Sequence, residues 1–519
     1  MHSLLSSNYK NEFIAHFKGE DHLNNLPRQT PGVLYSKALP TSVSSPELRA
    51  WNDELADKLQ IKKPSSSEEI EILSGNKIAP GMKPYAARYG GHQFGHWAGQ
   101  LGDGRAITLG EWVDPDNYTW EFQLKGAGPT PYSRRADGRA VLRSSVREYL
   151  MSEAMHYLGV PTTRALSMVT TGDQVMRDMF YNGNPRPEPG AIVLRVAPSF
   201  LRFGNFEILA AYQEKENLEK LVDWTITRYH PHLSGENRIL RWFEEVVERT
   251  ATMIVEWLRV GFVHGVMNTD NMSVLGLTID YGPFSFLDNY DPGFTPNTTD
   301  LPGRRYAYGR QASIAYWNLG CLANALVPII TETVPLEKLL HGYEEIISEK
   351  YQAMMASKLG LDKFRQEDHE LIDNLENMLS SLQPDMTIFY QLLEEISGND
   401  LTEDEMNQHF KESFYDQPSP ENHKMLLDFI FQYKKRLEKN QVSAEQSKQA
   451  MQKANPKFIL RNYLLHQAIE EMEQGNDNMF QQLQKAITDP YSKASNKFIG
   501  KRPEWATSRA GCSMLSCSS

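Results

Sequence analysis

Asn271 and Asp280 are spaced as the two oxygen ligands of a phosphotransfer metal site. The stretch HGVMNTDN occupies positions 264–271, and IDYG follows at 279–282. In a phosphotransfer catalytic loop, an Asp five residues before the metal-binding Asn accepts the substrate proton, and a second metal-binding Asp follows in an Asp-Phe-Gly turn. Asn271 and Asp280 fit the two ligand positions, and hard cations such as Mg²⁺ or Mn²⁺ prefer such oxygens. The position five residues before Asn271 holds Val266, whose side chain accepts no proton. The parts that hold nucleotide and metal are present and the usual base is absent. Either the chain is inert, or it does different chemistry on the same nucleotide.

Upstream residues complete the constellation. Glycine is dense from 85 to 104, at Gly90, Gly91, Gly95, Gly99, Gly102 and Gly104, and the loop closes with Arg105 just before a predicted strand. Glycines there let backbone N–H groups approach phosphate oxygens without a Cβ in the way. Lys125 ends the next predicted strand, within reach of phosphates. Glu148 lies 23 residues later in a predicted helix, spaced for a Lys–Glu pair that orients the ammonium. Each signal alone has a plain structural explanation: a tight turn, a solvated lysine, an exposed helix glutamate. Their conjunction in kinase order is far more specific than any member.

The elements that must position these residues follow from pattern. Residues 1–80 mix prolines with short amphipathic pieces, including SPELRAW at 45–51, where Ser45 is placed to cap a helix. Strands are predicted at 106–112 and 119–124 around the turn Asp114-Pro115-Asp116-Asn117, and at 191–196. A helix is predicted at 141–158, stopped by Gly159 and Pro161. From Phe206 onward the pattern is mainly helical, clearest at 242–260, 314–326 and 335–355, with a further segment at 458–472; Pro335 suits a first helical position. The fold class is therefore α+β, a protein-kinase-like two-lobed arrangement with a small mixed N-lobe and a large helical C-lobe. The expected division is an N-terminal extension at 1–80, a nucleotide-binding N-lobe at 81–205, a C-lobe at 206–490 and a loosely held tail at 491–519.

Four words in the chain are longer than chance supplies: YAARYGGHQFGHWAGQLGDGR at 85–105, QLKGAGPTPYSRRADGR at 123–139, NTDNMS at 268–273 and NPKFILRNY at 455–463. Together with the terminal Cys517-Ser518-Ser519, they closely resemble the selenoprotein O family, known in bacteria as YdiU. The resemblance implies an active enzyme on a pseudokinase-like fold. It would move AMP from ATP to Ser, Thr or Tyr hydroxyls of proteins, with the nucleotide reversed relative to kinases; bacterial relatives imply UMP transfer from UTP with manganese. Reversal would make sense of Val266, because attack at the α-phosphate moves the reacting centre. The resemblance assigns the base role to Asp270, beside Asn271. It assigns nucleotide contacts to Gly102, Gly104, Arg105, Lys125, Asp137, Gly138, Arg195, Arg202 and Asp280, and metal ligation to Asn271 and Asp280. Arg139, Arg143 and Arg147 form a helical stripe that suits a positive pocket and a solvated face equally.

Other readings bound the function. His92 and His96 are four apart, but glycines around them argue against a helix, and no cysteine or acidic triad nearby in sequence completes a zinc site. They are read, with His264, as hydrogen-bonding residues. Three cysteines, Cys321, Cys512 and Cys517, exclude a disulfide scaffold. Cys517 stands where eukaryotic relatives carry selenocysteine, so a redox role would be weaker here. The stretch 293–298 lacks the cysteine with which some relatives could pair their tail; Cys512–Cys517 or Cys321 pairing stays open, and two accessible unpaired tail thiols is the preferred reading. A formal charge of −12 argues against general nucleic-acid binding. No run of the ~20 apolar residues needed to span a membrane is expected. Without a signal-peptide pattern at the start, the expected location is cytoplasmic. A conventional kinase and a non-catalytic nucleotide-binding scaffold with a redox-sensitive tail are the alternatives to an AMP transferase.

Overall fold

The computed structural model describes residues 1–396, 401–512 and 514–516, with 494–496 through their backbone only. Its N-terminal half is built on one large, mainly antiparallel sheet. Ala106–Val113 and Thr119–Lys125 form the predicted hairpin, with Asp114 Oδ1 accepting the N–H groups of Asp116 and Tyr118 to close the turn. Thr119–Lys125 pairs in turn with Arg186–Ala197, which sets Gln123 opposite Arg195 and Lys125 opposite Val193. Alternation along a strand then puts Gln123, Lys125 and Arg195 on one face of the sheet. The other face is apolar, with Trp112 stacked on Phe122 at 5.7 Å between ring centroids.

Leu142–Tyr157 crosses the functional face as the predicted helix, and nearly every residue in it is buried, charged ones included. Gly159, at φ +80°, ends it. Beyond Ala197 the chain is mainly helical. Arg238–Val260 packs its apolar stripe against Gln311–Leu326 and Val334–Lys358, and Gly261 caps it in the left-handed conformation. One continuous core runs from the Glu148 helix into this helical region, so the two lobes share apolar packing across the cleft. A second core lies farther out, under the helices from 354 to 451.

Several expectations change. Residues 47–51 are a strand, Glu47–Trp51, that adds to the sheet edge beside Arg164–Arg177. Sheet pairing outweighs the local helical pattern there, and the helix starts later, at Asp53, with the Asn52 side chain accepting from the Leu55 N–H. Arg164–Arg177 is itself a 14-residue strand with no counterpart in the sequence reading. Pro335 occupies the second position of Val334–Lys358, not the first. Residues 458–461 are irregular, and their helix begins at Asn462. Tyr308–Ile329 does reach the length and mean hydropathy of a membrane span; here it packs inward, with Leu319, Leu322 and Leu326 buried in the main core.

The tail is docked. Cys512 is buried, Leu515 pairs with Asn297 in a parallel bridge, and the Ser516 hydroxyl donates to the Met179 carbonyl of the N-lobe. Cys512 is thus not the accessible thiol expected, and burial pushes it up to about 11. Cys321 and Cys512 are both free, so no Cys321–Cys512 bond exists; the expectations for Cys517 fall outside the described residues.

Candidate active site

The functional face of the sheet gathers buried charge. Lys125 Nζ donates to Glu148 Oε2 at 2.5 Å, completing the Lys–Glu pair. Arg195 Nη1 donates to the other Glu148 oxygen at 3.1 Å and to Asp280 Oδ1 at 2.5 Å, while Nη2 donates to Gln123. Arg202 Nη1 reaches Asp280 Oδ2 at 2.6 Å and the Asp270 backbone carbonyl at 2.7 Å. Both guanidiniums lie over aromatic rings, Arg195 on Phe200 and Arg202 on Tyr89. Burial alone would raise the Asp280 carboxyl, but Arg202, Arg195 and Lys125 overcome it and hold the group well below the usual carboxylate range. Burial lowers Lys125 in turn, with Glu148 opposing. Asp280 itself sits at φ +58°, a left-handed conformation that Asp and Asn tolerate better than most residues.

The 264–271 loop forms the facing wall. His264 is buried, stacked against Trp257, and hydrogen-bonded to the Ile279 carbonyl; burial lowers its pKa, keeping it neutral. Val266 presents an apolar side chain to the cleft, while its carbonyl accepts from Asn271 Nδ2 at 2.9 Å. That bond fixes the amide and leaves Asn271 Oδ1 available to an oxygen-seeking cation. Asp280 is ionised and partly open to the cleft, so the pair fits Mg²⁺ or Mn²⁺ by donor type, provided the cation shares oxygens with the arginines.

Asp270 lies in the single turn Thr269–Asn271 and is almost fully buried. Gln93 Nε2 donates to its Oδ2 at 3.2 Å, and Oδ1 has no hydrogen-bond partner among the described residues. Burial raises its pKa to about 6, against the opposing pull of Gln93 and Arg202. Space for this carboxylate depends on Gly91, where an added Cβ would stand 2.9 Å from Asp270 Oδ1.

Lys125, Arg195, Arg202, Val266, Asp270, Asn271 and Asp280 line one cleft of about 720 Å³, together with Gly102, Gly104, Arg105, Asp137 and Gly138. Gly102, at φ +111°, turns the loop where a Cβ would meet the Tyr132 ring at 2.5 Å. Asp137 sits at the rim, paired with Arg177. Of the catalytic, nucleotide-contacting, metal-ligating and ion-pair residues named from sequence, all but Glu148 line the cleft, and Glu148 lies directly behind Lys125 and Arg195.

The arginine stripe divides: Arg139 precedes the helix, which begins at Leu142, and it lines the cleft while donating to the Thr41 and Ser42 carbonyls. Arg143 pairs with Glu188, and Arg147 is buried, donating to the carbonyls of Gly282 and Phe284 just after Asp280. Sequence reasoning also missed Gln93 and Gly91 as neighbours of Asp270, although both lie within the 85–105 word. The structure corrects the reading of His92 too. It does hydrogen-bond, its Nδ1 lying 2.5 Å from Glu207 Oε2, but a cysteine, Cys321, stands beside the pair.

A family model described as protein adenylyltransferase SelO matches residues 22–488. The chain is similar to a protein nucleotidyltransferase YdiU of Cytophaga hutchinsonii, with 57% identity over 509 residues covering 98% of each chain. It is also 50% identical over 523 residues to the YdiU of Aromatoleum aromaticum, covering 98% of this chain and 99% of that one. Among solved structures, Toxoplasma gondii ROP2, titled a virulence factor with a protein-kinase fold and no enzymatic activity, covers 57% of this chain and 83% of its own. Identity there is 12% and the TM-score 0.26.

Proposed function

The chain belongs to the SelO family of protein adenylyltransferases, a nucleotidyltransferase family, and from that premise we propose that it transfers AMP from ATP to Ser, Thr or Tyr hydroxyls of proteins. The observation that carries this reading is the exchange of carboxylates in one loop. Val266 gives the kinase base position an apolar wall, while Asp270, four residues on, is the carboxylate with a free oxygen and a pKa raised to about 6. A base near the working pH is well matched to taking a proton from a hydroxyl.

The reaction forms a bond from the acceptor oxygen to the α-phosphorus and breaks the bond from that phosphorus to the pyrophosphate oxygen. The hydroxyl proton passes to Asp270 Oδ1 or Oδ2. Lys125, Arg195 and Arg202 supply the inner wall with cations, which favours a triphosphate pointing inward and balances the charge that builds on leaving pyrophosphate. Arg105 adds a further cation at the glycine loop, and Asp137 and Gly138 bound the rim. Asn271 and Asp280 would hold Mg²⁺ or Mn²⁺, which screens phosphate charge when bound.

Incubation with ATP labelled separately at the α and γ positions tests the proposal. Protein-bound label from the α position is expected. Label from γ would establish a conventional kinase instead, and label from neither would leave a nucleotide-binding scaffold. UTP labelled at α, run with Mn²⁺, tests UMP transfer in the same format.

Gly91→Ala gives a local check on Asp270. The added methyl must displace the carboxylate or the turn that bears it. Because misplacing a reacting group by about 1 Å can cost ~10²-fold, turnover should fall by up to that factor while nucleotide affinity stays at the wild-type value. A calorimetric titration with ATP alongside initial-rate measurements separates the two effects. A wild-type rate would mean that Asp270 does not need this space.

A further inference from the structure

Three side chains remote in sequence converge behind the catalytic loop. His92 belongs to the small hairpin of His92–Gln93 and His96–Trp97, Glu207 to the helix Phe203–Ala211, and Cys321 to the helix Gln311–Leu326. One ligand atom from each lies within 4.8 Å of the others. His92 Nδ1 and Glu207 Oε2 are 2.5 Å apart. Glu207 is only 4% exposed, and its second oxygen, Oε1, is buried with no hydrogen-bond partner among the described residues. A buried carboxylate oxygen left this way is costly unless something cationic takes it. None of the three has a part in the proposed transfer.

We propose that His92, Glu207 and Cys321 form a transition-metal site of the zinc class, with a fourth position open to water or another ligand. Nitrogen, oxygen and sulfur donors together select a borderline cation such as Zn²⁺ over the hard cations that suit Asn271 and Asp280. Around a tetrahedral ion with bonds of ~2.0–2.3 Å, donor atoms stand roughly 3.3–3.7 Å apart. The cluster, whose ligand atoms lie within 4.8 Å of one another, reaches that geometry if the His92–Glu207 contact opens by about 1 Å and the Cys321 sulfur closes onto the pair. Charge supports the same choice. A dication with one thiolate, one carboxylate and a neutral imidazole is neutral overall, which suits a largely buried place. Binding the metal would displace the thiol proton of Cys321, since the thiolate is the ligating form.

The location gives the site a consequence. The His92 N–H donates to Thr269 Oγ1 at 2.7 Å, and the next residue, Gln93, is the donor to Asp270. A metal fixing His92 would therefore stiffen the turn that holds Gln93 against the carboxylate.

Cobalt is the direct probe. Metal-free full-length protein is titrated with Co²⁺ in the presence of excess Mg²⁺, which occupies oxygen-only sites. One equivalent should bind with a sulfur-to-cobalt charge-transfer band and intense visible bands of tetrahedral type, and Zn²⁺ should displace it. Cys321→Ser, a conservative change at a half-buried position, should abolish the charge-transfer band while leaving the circular dichroism spectrum unaltered. His92→Gln should lower the stoichiometry at the same Co²⁺ concentration. Zn²⁺ should also raise the melting temperature of wild type and not of Cys321→Ser. Absence of the sulfur band in folded wild-type protein would overturn the proposal, leaving His92–Glu207 a hydrogen-bonded pair with a bystander thiol. Persistence of the band in Cys321→Ser would overturn it equally, by assigning the sulfur to another cysteine.

Discussion

Asp280→Ala is expected to lose all metal-supported transfer and, in the same stroke, several kcal/mol of stability. Arg195 and Arg202 are each 2% exposed, and Asp280 is the carboxylate on which both converge. Removing one partner from a buried charge cluster costs ~3–5 kcal/mol, because the remaining charges stay desolvated without compensation. Glu148 still faces Arg195, and Asp280 is partly open to the cleft, so the lower end of that range is expected. Alanine also sits poorly at φ +58°, so Asp280→Asn is the cleaner variant: it keeps the shape and the backbone preference and loses only the charge. The pH dependence has a definite sign. The folded-state pKa lies well below that of an unfolded Asp, about 3.9, so the stabilisation is fully present above about pH 4 and is lost only as the pH falls toward the depressed value. The wild-type–variant gap in denaturant midpoint should therefore be constant from pH 5 to pH 8 (roughly, given that linkage). Calorimetry supplies the second readout. Mg²⁺ or Mn²⁺ should tighten ATP binding to wild type and have no effect on either variant, whose freed arginines still grip phosphate oxygens. A variant whose ATP affinity responds to metal as wild type does would remove Asp280 from the metal site.

What could be read from sequence was whatever local pattern decides. The hairpin 106–125 was legible because a turn of Asp, Pro and Asn separates two apolar runs, and the 141–158 helix because Gly159 and Pro161 stop it. The order of glycine loop, Lys125, Glu148, Asn271 and Asp280 was legible because each lies at a fixed offset within one element or loop. Arg164–Arg177 escaped because Gly172, Asp173 and a pair of bulges break its alternation. Glu47–Trp51 reads locally as a capped helix and becomes a strand only because that edge is there to receive it. Arg147 read as part of a stripe suited equally to a positive pocket or a solvated face, yet its guanidinium is spent on the Gly282 and Phe284 carbonyls, partners 135 and 137 residues away. The same limit hid the meeting of His92 with Glu207 and Cys321, and the docking of the tail on Asn297: no spacing along the chain encodes a contact made by three separate elements.

Asp270→Asn is expected to lower transfer by ~10²–10⁴-fold, the contribution of a positioned general base, while ATP binds as before. The binding half of that expectation follows from geometry. Arg202 is held by the Asp270 backbone carbonyl rather than its side chain, so the substitution leaves the arginine on Asp280 undisturbed. Stability should move in the opposite direction from that in Asp280→Ala. Asp270 is a desolvated carboxylate whose folded-state pKa of about 6 exceeds the value of about 3.9 in an unfolded chain. The folded protein thus holds this proton more tightly, and the group's contribution to stability declines as the pH rises from about 4 through about 6, staying low above that. Asparagine carries no such penalty and can keep the contact with Gln93, so the variant should melt above wild type at pH 7 and draw level with it near pH 4, where linkage makes the two roughly equal. Wild-type turnover should mirror the titration, rising as the pH passes through about 6 and levelling off beyond it. In the variant, what activity remains should lack that step. A more stable protein that binds ATP normally and transfers slowly cannot be explained by damage to the fold, and that combination distinguishes a catalytic carboxylate from a loop-capping one. Undiminished transfer by Asp270→Asn, with its stability raised as described, would instead show that proton removal is done by another group in the cleft.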